Sequence, residues 1–243
     1  MTSVQEFYGS RAALYDRIAT APGIARWRRE AAKRVATPGA TVVEMGCGTG
    51  ANLPHLREAV GPDGRVVGID ITAPLLERAR ERVAEYQNVS VVRGDAEKPP
   101  IASADAVLAT FVCGLFSDPA AVVGQWCDLL GPGGRIGLLD ATVSKATLGR
   151  PLNPAFRAFV AAGSPTGDLL DTVSKPFGAA DATLSRRVAE SRSALTDRTS
   201  ARRYDTFGLG FVGLLTGTVE PPAGELPHPN RSESRLKTTK RKQ

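Results

Sequence analysis

Residues 42–54 read Val-Val-Glu-Met-Gly-Cys-Gly-Thr-Gly-Ala-Asn-Leu-Pro, and the fold turns on them. Two β-branched residues lead into the carboxylate of Glu44, and Gly46, Gly48 and Gly50 then alternate along the chain. Glycines at the end of a strand let the chain turn sharply and bring bare N–H groups close to a ligand. An acid standing just before such a loop restricts what that ligand can be, because it repels phosphate and attracts positive charge.

Outward from this stretch, short apolar runs alternate with amphipathic ones. Residues 40–45 form an expected strand, followed by a helix over 52–59 and a Gly61-Pro62-Asp63-Gly64 turn. A second strand over 65–70 leads to a helix over 74–86, in which Leu75, Ala79 and Val83 share one face and Arg and Glu the other. Strands are expected at 88–95, 104–110 and 135–142. Between the last two, 118–130 reads as a helix that starts at an acidic cap and ends at Gly131. Ahead of the core, residues 8–35 read as helical with an interruption at Pro22-Gly23. Beyond it, 151–163 and 180–195 read as helices and 200–218 as one or two final strands. Strand–helix alternation with nearly continuous apolar strands predicts a parallel sheet covered on both faces. Ligands of such sheets bind at the carboxyl ends of the strands, beside the point where strand order reverses. Glu44, Asp70, Asp95 and Thr110 all fall on that edge.

The chain has 243 residues and 42% hydrophobic content, enough for a sizeable core. Its net charge of +6 is localised: six cations against Glu233 lie in residues 231–243, so the rest is near neutral and gives no reason to expect nucleic acid. Residues 219–243 read as a linker and a disordered basic tail, for which peripheral contact with an anionic membrane surface is the alternative role. No apolar run is long enough to span a bilayer, and the N-terminus lacks a basic-then-apolar leader. Cys47, Cys113 and Cys127 are an odd, widely spaced set without CxxC, which argues against a zinc site or a disulfide framework and suits a reducing cytoplasm. No metal is expected.

Two ligands compete for the loop. Gly46-x-Gly48-x-x-Ala51, with Asp70 just over 20 residues on, satisfies the dinucleotide pattern, so a nicotinamide-dependent oxidoreductase stands as an alternative. The acids favour another reading. Asp70 at the end of the second strand suits both hydroxyls of a ribose, and Asp95 with Ala96 at the end of the third suits an adenine edge. Glu44 is compatible with an ammonium and a sulfonium, as in S-adenosylmethionine, rather than two phosphates.

Four motifs in order, Glu44 to Gly50, Val67 to Asp70, Gly94 to Ala96 and Leu130 to Arg135, resemble those of class I S-adenosylmethionine-dependent methyltransferases over roughly residues 40–142. Tyr15-Asp16 followed by Trp27-Arg28 is similar to the start of the ubiquinone/menaquinone (UbiE-like) branch, although Ile18-Ala19 replaces that branch's Met-Asn pair. The resemblance implies a Rossmann-like doubly wound sheet, mostly parallel with an antiparallel C-terminal strand, an N-terminal helical cap over 1–39 and an acceptor-side helical insertion over about 143–197 in a domain spanning 40–218. It also implies a donor site in which Glu44, Gly46, Cys47 and Gly48 surround the methionine end and Asp70 holds the ribose. Asp95 and Ala96 then hold the adenine and the Thr110 carbonyl faces the amino group, while Tyr15, Asn52 and Ile71 complete the site. The product would be S-adenosylhomocysteine, and the acceptor a small molecule, with a quinone or lipid as the narrower option. A donor-binding protein without catalysis is a further alternative.

Methyl transfer to a hydroxyl or ring carbon still requires a base. Asp140, at the end of the fifth strand, is the catalytic candidate, with His55 as a second choice. Tyr8 and Tyr15 are candidates to cover the donor. Phe111, Phe116, Leu152, Phe156, Phe159, Phe207 and Phe211 supply either core or an apolar acceptor pocket.

Overall fold

The apolar runs become strands that pair as one seven-stranded sheet. In chain order the elements are α1 (Pro22–Val35), β1 (Thr41–Met45), α2 (Leu53–Val60), β2 (Arg65–Asp70), α3 (Ala73–Arg82), β3 (Val89–Arg93), β4 (Ala106–Thr110), α4 (Pro119–Leu130), β5 (Arg135–Ala141), α5 (Asn153–Gly163), α6 (Ala179–Arg198), β6 (Thr199–Phe207) and β7 (Val212–Val219). The computed structural model describes Asp16, residues 22–163 and residues 179–221. Tyr8, Tyr15 and the basic tail lie outside the described residues.

The strand order is β3-β2-β1-β4-β5-β7-β6. Neighbours are parallel as far as β5; β7 then runs antiparallel to both β5 and β6. Order reverses at β1, which pairs with β2 on one side and β4 on the other, so the glycine loop leaves the sheet at the switch point. The stretch 200–218 resolves into two strands because Gly208–Gly210 forms a short 3-10 turn between them.

Both faces are buried, as continuous apolar strands require. One face packs Val42, Val66, Leu108, Leu139 and Leu214 beneath α1, α2 and α3, through Ala31, Val35, Leu53, Leu56 and Leu76. The other packs Val43, Met45, Ile69, Val107, Ile136 and Leu138 against α4 and α6, through Val122, Trp126, Cys127 and Leu195. Helix α1 lies so close to the sheet that a methyl group on Gly137 of β5 would stand 2.5 Å from Val35 Cγ1. Helix α4 is capped as its sequence indicated: the Asp118 carboxylate accepts from the Ala121 N–H at 3.0 Å, and the chain leaves the helix at Gly131.

The sheet ends on β6, an outer strand. Its register shifts between Ser200 and Arg203, Ala201 takes φ +47°, and Arg202 and Arg203 point to solvent.

Candidate functional site

The tips of β1, β2, β3 and β4 set the site. Parallel register aligns Glu44 with Gly68 and Leu108, and Asp70 with Arg93. The three tips nearest the loop are joined by hydrogen bonds. Asp70 Oδ2 accepts from the Gly48 N–H at 2.9 Å, while Oδ1 accepts from Thr72 N at 2.8 Å. The Asp70 carbonyl accepts from Gly94 N at 3.0 Å, which fixes Asp95 one residue further on. The glycine loop, Asp70 and the Gly94-Asp95-Ala96 turn therefore occupy one edge.

The loop needs its glycines. Gly46 sits at φ +69°, where a methyl group would lie 2.7 Å from Val112 Cγ2, and Gly48 sits at φ +55°. Cys47 is in the loop by size: it is buried, with its sulfur 3.0 Å from where a Gly68 methyl would stand, and burial pushes its thiol well up. Such a thiol is unreactive.

Beneath the loop lies a network that the sequence indicated only in pieces. Glu44 is 0% exposed, and its Oε1 accepts from the Asn52 side-chain amide and from the Thr110 hydroxyl at 3.2 Å. The Thr110 oxygen in turn accepts from Asn52 Nδ2 at 2.9 Å and from Arg28 Nη1 at 3.1 Å. Among the described residues, Glu44 Oε2 and Asn52 Oδ1 are buried without a hydrogen-bond partner. Burial raises the Glu44 carboxyl to about 7, opposed by the Asn52 hydrogen bond, the Arg28 charge and the Thr110 hydrogen bond. Glu44 and the Thr110 side chain thus lie directly beneath the loop, with Glu44 enclosed.

The far end is held from the other face. Trp126 Nε1, buried in α4, donates to the Ala96 carbonyl at 2.8 Å. Asp95 is exposed and its Oδ1 accepts from Glu97 N at 2.9 Å. Ile71, 39% exposed beside Asp70, offers an apolar surface at the same edge. Trp126→Phe should leave a buried carbonyl unpaired, lowering stability by about 1–2 kcal/mol in denaturant titration and weakening ligand binding at the Asp95 end severalfold.

Asp140 occupies a different place from the cleft expected of it. Side chains alternate along a strand, and Asp140 is in step with Ile136 and Leu138, on the face opposite Glu44. It is 1% exposed, its Oδ2 has no hydrogen-bond partner among the described residues, and burial lifts its carboxyl to about 7 against the pull of Arg192 from α6. His55 is half-buried on α2; burial, with Arg29, holds its imidazole below the usual value.

Two contributions were not read from the sequence. Arg28 of α1 reaches the tip of β4, 82 residues away. Asp16 clamps the loop from outside: its Oδ1 accepts from the Thr49 hydroxyl at 2.6 Å and from Arg82 Nη2 at 2.8 Å. The Tyr15-Asp16 and Trp27-Arg28 pairs were the available signals, and their partners were not legible.

Residues 42–134 match a family model described as a methyltransferase domain. Over the aligned stretch the chain is 44% identical to nocamycin O-methyltransferase of Saccharothrix syringae, covering 42% of this chain and 38% of that protein. It is 34% identical to 2-phytyl-1,4-naphtoquinone methyltransferase of Thermosynechococcus vestitus, covering 58% of this chain and 65% of that one. The chain thus spans less than two thirds of either relative. A solved S-adenosylmethionine-dependent methyltransferase from Aquifex aeolicus superposes with a TM-score of 0.54 at 17% identity, over 87% of this chain and 98% of that one. Residues 42–134 are thus similar to a methyltransferase domain, and the fold is shared with that solved enzyme. The chain's likeness to the quinone branch is carried by the naphthoquinone enzyme and by demethylmenaquinone methyltransferase of Staphylococcus aureus, 31% identical over 56% of this chain and 54% of that one.

The residues at this edge of the sheet fit an adenosyl sulfonium. Asp70 keeps lone pairs for a ribose after accepting two backbone N–H groups. The unpartnered oxygens under the loop favour a positive group above it, where pyrophosphate would set acceptors against acceptors. Among the described residues, no group of three or more His, Cys, Asp or Glu is arranged to hold a metal, and no helix is long and apolar enough to cross a membrane.

Proposed function

We propose that this protein transfers a methyl group from S-adenosylmethionine to a small apolar acceptor of quinone-like or lipid-like character. The observation that carries the donor half is the Asp70 carboxylate bonded to the Gly48 N–H at the switch point, one strand from Gly94-Asp95. Gly46, Cys47 and Gly48 line the methionine end over Glu44 and Asn52, and Thr110 closes the floor. Asp70 holds the ribose, and Asp95, Ala96 and Ile71 border the adenine, with Tyr15 assigned to the same site beside Asp16.

The bound donor supplies an electrophilic methyl group on a cationic sulfur. An acceptor oxygen, nitrogen or carbon bonds to that methyl as the carbon–sulfur bond breaks and its electron pair returns to sulfur, and the acceptor's proton passes to a base or to water. Because charge is lost from sulfur, the chain's own task is alignment and exclusion of water, more than strong acid–base chemistry.

The acceptor half rests on the apolar edge beyond β5. Leu148 is 77% exposed, Leu152 and Leu209 are exposed nearby, and a cavity of about 460 Å³ lies between residues 146–148 and 206–210. The rings of Phe156 and Phe211 stand 4.8 Å apart beside it. Its size is that of a ring-system pocket. Residues 143–197 supply acceptor choice in this reading, as an insertion in a domain of 40–218 with a cap over 1–39 and a basic tail over 219–243. The names of the relatives, which include a naphthoquinone and an aklanonic acid methyltransferase, support a small-molecule acceptor. Three free, buried cysteines suit a cytoplasmic setting.

Calorimetry with S-adenosylhomocysteine, with NADH as competitor, tests the donor. The expected result is micromolar binding that NADH does not displace; displacement by NADH would reverse the assignment. Transfer of a labelled methyl group to naphthoquinol and polyketide phenol acceptors then tests the acceptor class.

A further inference from the structure

Arg28 is 4% exposed, a guanidinium held inside the protein and linked through the Thr110 hydroxyl to the buried Glu44 carboxyl. Burying a guanidinium and a carboxylate together is at best neutral for stability compared with an apolar pair. A chain that does so gains something other than stability.

Arg28 stands at a junction. It donates to the Thr110 hydroxyl at 3.1 Å, and that hydroxyl donates to Glu44. Its guanidinium also lies 5.3 Å from the ring centroid of Phe111, the residue that leaves β4 at φ +57°. The adjacent Trp27 stacks on Phe207 at 6.2 Å and presses on Gly208, at the rim of the apolar cavity. Consecutive residues of one helix therefore touch the donor floor and the acceptor edge.

We propose that Arg28 is a positioning residue: acting through Thr110, it favours the charged form of Glu44 beneath the glycine loop, so that donor affinity depends on the seating of α1. The inference rests on the donor reading above. Among the described residues, the groups that face Glu44 are Arg28 from α1, Asn52 at the start of α2, Thr110 from β4, Asp70 from β2 and the Cys47 thiol in the loop. Of these Arg28 alone is cationic, and Asp70 opposes it. With Glu44 raised to about 7, the site stands at its titration point in neutral solution.

The test compares the full-length chain with Arg28→Met, Glu44→Gln and the double variant between pH 5.5 and 9. In calorimetry with S-adenosylmethionine, wild-type affinity should rise about tenfold from pH 6 to 8 and then level off, following ionisation of one group. Arg28→Met should move that rise upward by about one pH unit, Glu44→Gln should give weak and flat binding, and the double variant should match Glu44→Gln. An equal loss at every pH for Arg28→Met would overturn the proposal and leave the donor reading standing. Melting temperature without ligand gives an independent readout. Arg28→Met should cost more at pH 8.5 than at pH 5.5, and that difference should vanish in the Glu44→Gln background. If the wild type binds no donor, the donor reading fails and this melting comparison still decides whether Arg28 and Glu44 are coupled. Should Arg28→Met not fold, Arg28→Lys keeps the charge without the planar fork and should retain the wild-type pH dependence of melting; a shifted profile would count against the proposal.

Discussion

Replacing Asp70 with alanine should lower affinity for S-adenosylhomocysteine by at least about 100-fold while the protein stays folded. Two losses combine. The carboxylate would accept the ribose hydroxyls through charge-assisted bonds, each contributing about 1.5–3 kcal/mol. It also organises the loop, since Oδ2 and Oδ1 hold the Gly48 and Thr72 N–H groups. Asp70→Asn should fall between the two, because its amide oxygen can keep one backbone contact and one hydroxyl. Isothermal calorimetry measures both, with far-UV dichroism to verify folding. Equal binding by wild type and Asp70→Ala would remove the sugar from the place assigned to it.

The second large effect concerns Asp140. Its carboxyl is raised from an ordinary 3.8 to about 7 by burial, with only Arg192 pulling the other way. A group whose folded value is raised contributes stability that is complete below its unfolded value and lost as pH rises through the folded one. For Asp140 that window runs from about pH 4 to 7, and the shift corresponds to something on the order of 4 kcal/mol. Glu44 has the same sign over the upper part of the window, from 4.5 to about 7. Asp140→Asn removes the ionisation and keeps the shape. It should therefore melt within a degree or two of wild type at pH 4 and roughly 5–10 °C higher at pH 8. The same variant addresses catalysis. A carboxylate enclosed under α6, on the face opposite Glu44, should leave methyl transfer largely intact when removed, whereas loss of transfer with donor binding unchanged would make it the base.

The placement of Asp140 shows where the sequence stops being legible. Residues 135–141 were readable as a strand, but Ile136, Leu138 and Leu139 are all apolar because both faces of the sheet are covered. A continuous apolar run conceals its own alternation, so the side on which a polar residue emerges cannot be assigned from it. Position along the strand was readable; facing was not. Asp70 had the opposite fortune. Its strand ends between a glycine turn and a helix start, and the contact with Gly48 spans only 22 residues of one β-α-β unit. The cap of α4 was legible for a similar local reason, since Asp118 and the Ala121 N–H it holds are three residues apart.

Arg28 and Trp27 lie at the other extreme. Nothing local marks a half-amphipathic helix ahead of the core as a floor for the donor, because its partners come from β4 and β6. Helix α6 was read as residues 180–195 and runs over Ala179–Arg198, where Arg198 pairs with Asp128 of α4 beyond the last apolar residue of the helix.

The outermost strand also governs how this protein meets copies of itself. A flat β edge with free amides invites another chain to add on, the usual route to runaway association. Here the displaced register at Ser200 to Arg203 and the left-handed Ala201 break the line of donors and acceptors, and Arg203, paired with Asp205, sets charged side chains along that edge. The molecule can therefore keep a long hydrophobic sheet at high concentration without that rim becoming a seed for fibres.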